Sequence, residues 1–205
     1  RGSVNMLETV SSIEIERAQL SRDELLEAVR KLILWIGDDP GREGLIDTPE
    51  RVLKSYEDFF WGYEIDPEAI LERTFEEVAG YNDIVLVKDI RLESHCEHHM
   101  VPIIGKAHVA YIPSERVVGI SKLARLVDIY AKRLQTQETL TSQIGTVIEK
   151  VLKPKGVAVL IDAEHQCMST RGVKKTETKT VTRHMSGVFQ EDPVLRTELL
   201  TLIHS

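Results

Sequence analysis

The sequence predicts an α+β protein, with a helical N-terminal region over residues 1–80 and a sheet-bearing domain over 81–205. Three observations carry this. Apolar residues before position 80 recur at helical spacing. From Asp83 the pattern changes to the alternation of strands. Two amphipathic helices then separate two pairs of strands, giving the order strand, strand, helix, helix, strand, strand.

Ser21-Arg22-Asp23-Glu24 has the form of a capping box. Leu25, Leu26, Val29, Leu32, Ile33 and Ile36 then form a helical apolar stripe that Gly37 stops. Asp38 to Asp47 reads as a loop. Thr48-Pro49 opens a second helix with core face Val52, Tyr56, Phe59 and Phe60, ended by Gly62. A third is expected from Asp66-Pro67 to about Ala79. Ile84 to Val87 and Ile90 to Glu93 read as one long strand, with Lys106 to Ile112 as its antiparallel partner. Ser121 is expected to cap a helix carrying Leu123, Leu126, Val127 and Tyr130. The next helix spans about Gln137 to Leu152. Val157 to Met168 and Lys174 to Val188 read as strands, and Asp192-Pro193 opens a last helix ending near Ile203. Arg1-Gly2-Ser3 reads as a cloning remnant and is set aside.

A net charge of −7 and a pI near 5.6 argue against nucleic acid or an anionic membrane as the general partner. An anionic ligand would need a local basic cluster. No apolar run has the length of a membrane span, and no signal-peptide pattern is present. With two cysteines in 205 residues, the cytoplasm is the expected compartment.

The chain's chemistry concentrates in Glu93-Ser94-His95-Cys96-Glu97-His98-His99-Met100 and in His165-Gln166-Cys167. Thiolate and neutral imidazole are the ligands zinc prefers, and a catalytic zinc keeps three of them with a fourth position open. A lone cysteine is ordinarily a buried hydrophobe, but both cysteines here lie beside histidines. Cys96 and His99 have the spacing of a turn that can pinch a metal. On a strand, His165 and Cys167 would leave the same face. Zinc on Cys96, His99 and Cys167 leaves His98 and His165 for acid–base work near neutral pH.

Ser121, Lys122 and Arg125 lie in the first turn of a helix, a place where backbone N–H groups and cations can hold phosphate. Arg171, just past Cys167, adds a second basic group. Arg51 and Lys54, three apart near a helix start, are either solvated or await an anion. Gln137 and Glu138 open a helix. Glu138 is either a favoured first-turn acid or a carboxylate that accepts from the N1–H and 2-amino edge of guanine.

Four motifs together resemble the GTP cyclohydrolase I family: Cys96-Glu97-His98-His99, Gly119-Ile120-Ser121-Lys122-Leu123-Ala124-Arg125, Arg133-Leu134-Gln135-Thr136-Gln137-Glu138, and His165-Gln166-Cys167-Met168-Ser169-Thr170-Arg171-Gly172. The resemblance covers roughly residues 20–203. It implies the tunnelling fold, conversion of GTP and water to 7,8-dihydroneopterin triphosphate and formate, and a homodecamer with active sites at subunit interfaces. Carried over, Cys96, His99 and Cys167 would be zinc ligands, and His98 and His165 would be catalytic. Gln137 and Glu138 would read guanine. Ser121, Lys122, Arg125 and Arg171 would hold triphosphate or ribose, with Arg51 and Lys54 reaching in from a neighbouring subunit.

This chain departs from the family pattern at His95, a rival ligand beside the cysteine, at Thr139, where an Arg often follows the Gln-Glu pair, and at Leu134, which is Pro in some members. Two other readings share these features: a non-catalytic GTP-binding assembly of the same fold, and a related enzyme acting on a pterin or deazapurine.

Overall fold

The computed structural model describes residues 19–72, 74–75 and 80–205. Two compact units meet between Asp58 and Phe59 in sequence. In the N-terminal unit, helix α1 (Arg22–Ile36) begins with the expected capping box. The Ser21 hydroxyl accepts from the Glu24 amide, and the Ser21 amide donates to the Glu24 carboxylate at 2.9 Å. Gly37 closes the helix with φ 105°, a left-handed conformation open to glycine. The apolar stripe of α1 is only partly covered: Ile33 is buried, whereas Leu32, Trp35 and Ile36 are exposed. Helix α2 (Thr48–Phe60) follows the loop.

The second unit opens with a 3-10 turn (Trp61–Glu64) and α3 (Pro67–Leu71), capped by the Asp66 side chain. The helix expected to reach Ala79 stops at Leu71, because Thr74–Phe75 pairs as strand β1 with β4 (Val117–Val118). Residues 73 and 76–79 lie outside the described residues. The main sheet is formed by β2 (Val85–Cys96), β3 (Pro102–Ile112), β5 (Leu134–Gln135), β6 (Gly156–His165) and β7 (Lys179–Met185), in the order β5-β2-β3-β6-β7. A bulge between Val87 and Ile90, with Asp89 at φ 59°, separates the two apolar stretches of β2. Helices α4 (Ile120–Ala131) and α5 (Gln137–Leu152) connect β4 to β5 and β5 to β6. From residue 83 onward the expected strand, strand, helix, helix, strand, strand order is therefore present, with the two-residue strands β4 and β5 added.

Alternation sends Leu92, Ile103, Ala107, Val109, Val159 and Ile161 to one sheet face. There they pack with Leu123, Leu126 and Val127 of α4 and Leu140, Ile144 and Ile148 of α5. Each such side chain fully withdrawn from water contributes about 1.5–3 kcal/mol before entropy is counted. The opposite face carries Ala110, Ile112 and Ala158 against Phe189, Leu199 and Ile203 of the last two helices, α7 (Val188–Glu191) and α8 (Pro193–His204). No described helix is long and apolar enough to cross a membrane.

Helix α5 packs tightly on β7 at Gly145, where a Cβ would lie 2.2 Å from the His184 ring. One turn on, His184 Nε2 meets Glu149 Oε1 at 2.6 Å. Burial works to raise the Glu149 carboxyl, but hydrogen bonds from His184 and Ser186 outweigh it and leave it below the usual range. A depressed carboxylate stabilises the fold above its unfolded value, about 4.3. That contribution is lost as pH falls through the lower folded value. Glu149→Gln removes the linkage, so the acid limb of a Tm-against-pH curve should be shallower than in the parent. Identical acid limbs in the two proteins would disprove it.

Candidate active site

The Cys-His-Cys group sits where β2 ends. Cys96, 4% exposed, is the last residue of the strand and faces the helix-covered side of the sheet. Its amide donates to Val101 O at 2.9 Å and its carbonyl accepts from Met100 N at 2.8 Å, which closes the Glu97-to-Met100 turn. Met100 takes φ 54° to complete that turn. The turn is clamped at the sheet edge: β5 pairs parallel with the end of β2, and Gln135 O accepts from Glu97 N at 3.0 Å. Gln135 is itself buried, its amide nitrogen donating to Tyr130 O and to Gln143 Oε1 at 2.9 Å each.

Within the turn, His99 Nδ1 lies 3.9 Å from Cys96 Sγ. His98 points elsewhere: the two imidazole centroids are 6.4 Å apart at 79°, and the His98 side chain is 70% exposed. His95, the feared rival ligand, is turned to the opposite face of β2 from Cys96. It is buried there and packs its ring 4.5 Å from Phe59 and 5.3 Å from Phe60, measured between centroids. Burial, aided by Lys132, holds its pKa below the ordinary imidazole value.

The strand expected to run to Met168 ends at His165. Gln166–Ser169 forms one helical turn, α6. The Thr170 hydroxyl donates back to Gln166 O at 2.6 Å and the Ser169 hydroxyl to His165 O at 3.3 Å. Such local bonds compete with strand pairing and win here. His165 and Cys167 are therefore not a same-face strand pair, and it is the turn that presents Cys167. One ligand atom each from Cys96, His99 and Cys167 lies within 4.8 Å of the others, so this group can hold a metal ion. Burial and then the neighbouring Cys96 thiol push the Cys167 thiol up, while Arg171 opposes them. Arg171 reaches the edge of the group, its Nη1 2.9 Å from His99 Nε2.

His165 is held at 2.8 Å, Nε2 to Gln137 Oε1. Burial lowers its pKa and the Glu138 carboxylate works against that. Glu138 is exposed at the start of α5, whereas Gln137 is 1% exposed and faces the protein. Its amide nitrogen donates to Ile161 O, Thr180 O and Thr182 Oγ1 at 3.1, 2.8 and 3.1 Å. Thr182 and Thr141, whose hydroxyls meet at 2.7 Å, were not singled out in the sequence. The available signal was the Thr180-x-Thr182-x-His184 alternation, a polar stripe on a strand that needs a helix to cover it.

The expected phosphate group lies elsewhere. Gly119, not Ser121, occupies the N-cap of α4, so Ser121 is inside the first turn. Val118 N donates to Tyr111 OH at 3.2 Å, which fixes this helix start near Tyr111 on β3. His165 pairs with Ile103, eight residues back along β3. At about 3.3 Å per residue that is roughly 26 Å along the sheet. Ser121, Lys122 and Arg125 thus stand at the opposite end of the sheet from the Cys-His-Cys group. Arg51 and Lys54 are exposed in the N-terminal unit, with Arg51 Nη2 3.2 Å from Asp47.

Residues 25–204 match the family model for GTP cyclohydrolase I. GTP cyclohydrolase 1 of Allorhizobium ampelinum is 53% identical over 197 residues, spanning 96% of this chain and 98% of that protein. GTP cyclohydrolase 1 of Brucella suis is 54% identical over 202 residues, 95% of each. Among solved structures, the archaeosine synthase QueF-Like in the apo form aligns over 51% of this chain and 94% of its own at TM-score 0.43 and 22% identity, too remote to carry an argument. Near-complete coverage at more than half identity, together with the matched model, decides the matter: the chain belongs to the GTP cyclohydrolase I family.

Proposed function

We propose that this chain converts GTP and water to 7,8-dihydroneopterin triphosphate and formate, with zinc at Cys96, His99 and Cys167. The observation that carries this reading is the convergence of those three side chains, with His165 two residues from one ligand, in a chain of this family. Two sulfurs and one imidazole are a donor set that favours zinc over hard, oxygen-seeking ions, and three protein ligands leave a coordination position open. Zinc bound there supplies Lewis acidity that activates water for attack on the guanine C8.

The remaining steps are proton movements, which fall to this chain's own groups. In this reading His98, exposed in the turn between Cys96 and His99, takes a proton from incoming water. His165 relays protons as the imidazole ring opens, formate leaves and the ribose rearranges before the pterin ring closes. Glu138 accepts from the donor edge of guanine, which adenine lacks. Arg171, already at the edge of the ligand group, meets the ribose or triphosphate.

Ser121, Lys122 and Arg125 stand too far along the sheet to serve the Cys-His-Cys group of their own chain. This supports a homo-oligomer, in our reading a decamer, in which they serve a neighbour's site together with Arg51 and Lys54. The test is formate release from GTP by the purified protein, before and after chelation and after zinc is restored. We expect activity lost on chelation and regained with zinc. No formate from assembled, zinc-loaded protein would overturn the reading.

A further inference from the structure

Gln137 was expected to read the base together with Glu138, but its side chain is spoken for. Its nitrogen faces two backbone carbonyls, Ile161 O and Thr180 O, which can only accept. The flipped amide would set oxygen against oxygen, so the orientation is fixed. Oε1 is then the atom 2.8 Å from His165 Nε2, and because it can only accept, His165 Nε2 must carry the hydrogen. The ring's other nitrogen, Nδ1, is left with the lone pair.

A closed circuit supports the amide. The Thr141 hydroxyl donates to Gln137 O at 2.7 Å. With its proton so committed, Thr141 Oγ1 accepts from Thr182 at 2.7 Å, and Thr182 Oγ1 accepts from Gln137 Nε2 at 3.1 Å. Each donor thus has an acceptor, in a pocket where Gln137 and Thr141 are 1% and 2% exposed. Satisfied buried networks of this kind hold one arrangement rigidly.

We infer that Gln137, Thr182 and Thr141 are positioning residues that lock His165 in the Nε2–H tautomer, with Nδ1 as the lone-pair nitrogen turned away from the amide. Gln137 therefore acts through His165 and not through the base, which is left to Glu138. The inference rests on the cyclohydrolase reading for its catalytic consequence, but the tautomer itself does not.

Thr182→Val removes the hydroxyl with little change of shape, and Thr182→Ser keeps it. In zinc-loaded protein, Thr182→Val should lower kcat for formate release about tenfold or more, with KM for GTP unchanged, since a mispositioned acid–base group costs turnover and not binding. Thr182→Ser should recover most of kcat. Independently of GTP, ¹⁵N spectra of histidine-labelled protein should show His165 Nε2 protonated and Nδ1 unprotonated, with the two signals drawing together in Gln137→Met, which removes the acceptor facing Nε2. An Nδ1–H tautomer in the parent protein overturns the inference. So does a Thr182→Val effect confined to KM, or equal kcat values for the Val and Ser variants. Absence of formate from the parent, with the nitrogen signals as expected, refutes the reaction and leaves the lock standing.

Discussion

Cys167→Ser should abolish metal retention and formate release together while leaving the metal-free fold nearly intact. The serine hydroxyl is a hard, protonated oxygen where zinc prefers a soft thiolate, so the donor set drops from three good ligands to Cys96 and His99. The loss of the bound ion removes several kcal/mol of charge stabilisation from the reaction, equivalent to about 10³-fold or more in turnover. The structural cost is small by comparison. Cys167 is only half-buried, on a one-turn helix held by bonds from Ser169 and Thr170 that the substitution does not touch. Metal content by atomic emission, Tm after chelation and formate release separate the two effects. Retained zinc with full turnover would sink the ligand assignment. A collapse of Tm in the chelated variant would show that the residue's contribution is to packing.

The tenfold effect expected at Thr182 and the thousandfold effect expected at Cys167 follow from distance to the chemistry. One residue offers a ligand atom to a bound metal, and the other steadies an amide that steadies an imidazole. The same hierarchy explains how much of the site could be read in advance. Side chains that act by their own chemistry declare themselves: a C-x-x-H turn and a His-x-Cys segment are visible as strings. Gln137 is equally visible, but its partners Ile161 O, Thr180 O and Thr182 Oγ1 come from strands more than 20 residues away, so its role depended on the fold.

Where local physics dominates, the elements were legible. The capping box at Ser21 and helix α5 were found as expected, because cap and periodicity lie within a few residues of each other. Strand β2 was legible as one long strand, but the bulge at Asp89 between its two apolar stretches was not. Cys167 reads as part of a strand because Val157 to Ala163 is a nearly continuous apolar run and nothing in it marks the strand's end. The stop comes from the hydroxyls of Ser169 and Thr170. Likewise β5 is two residues long, too short for any period, and is defined only by its pairing with the end of β2, where Gln135 O accepts from Glu97 N. The distance of Ser121, Lys122 and Arg125 from the ligand group could not be inferred from their spacing. It is set by the direction in which α4 crosses the sheet.

Gly105→Ala should be the most damaging single methyl in the sheet. Gly105 sits in β3 between Leu92 of β2 and Ala163 of β6. A Cβ there would lie 2.1 Å from Asp162 O, 2.5 Å from Ala163 Cα and 2.6 Å from Ala163 Cβ. Two of those three atoms are backbone of the paired strand, so no rotamer change relieves the overlap. β3 and β6 must separate, and that strains the ladder from Ile103–His165 to Ile112–Gly156. Overpacking that moves backbone costs about 3 kcal/mol or more. Gly145→Ala provides the comparison. Its nearest contact, 2.2 Å, is to the His184 ring, which can swing away at the expense of the Glu149 hydrogen bond, about 1 kcal/mol. Urea unfolding of the two variants should therefore rank Gly105→Ala well below Gly145→Ala. The fraction of Gly105→Ala that folds should also release formate more slowly, because the strand that is pushed aside ends in His165. Equal midpoints for the two variants would show that β6 yields as readily as a side chain does.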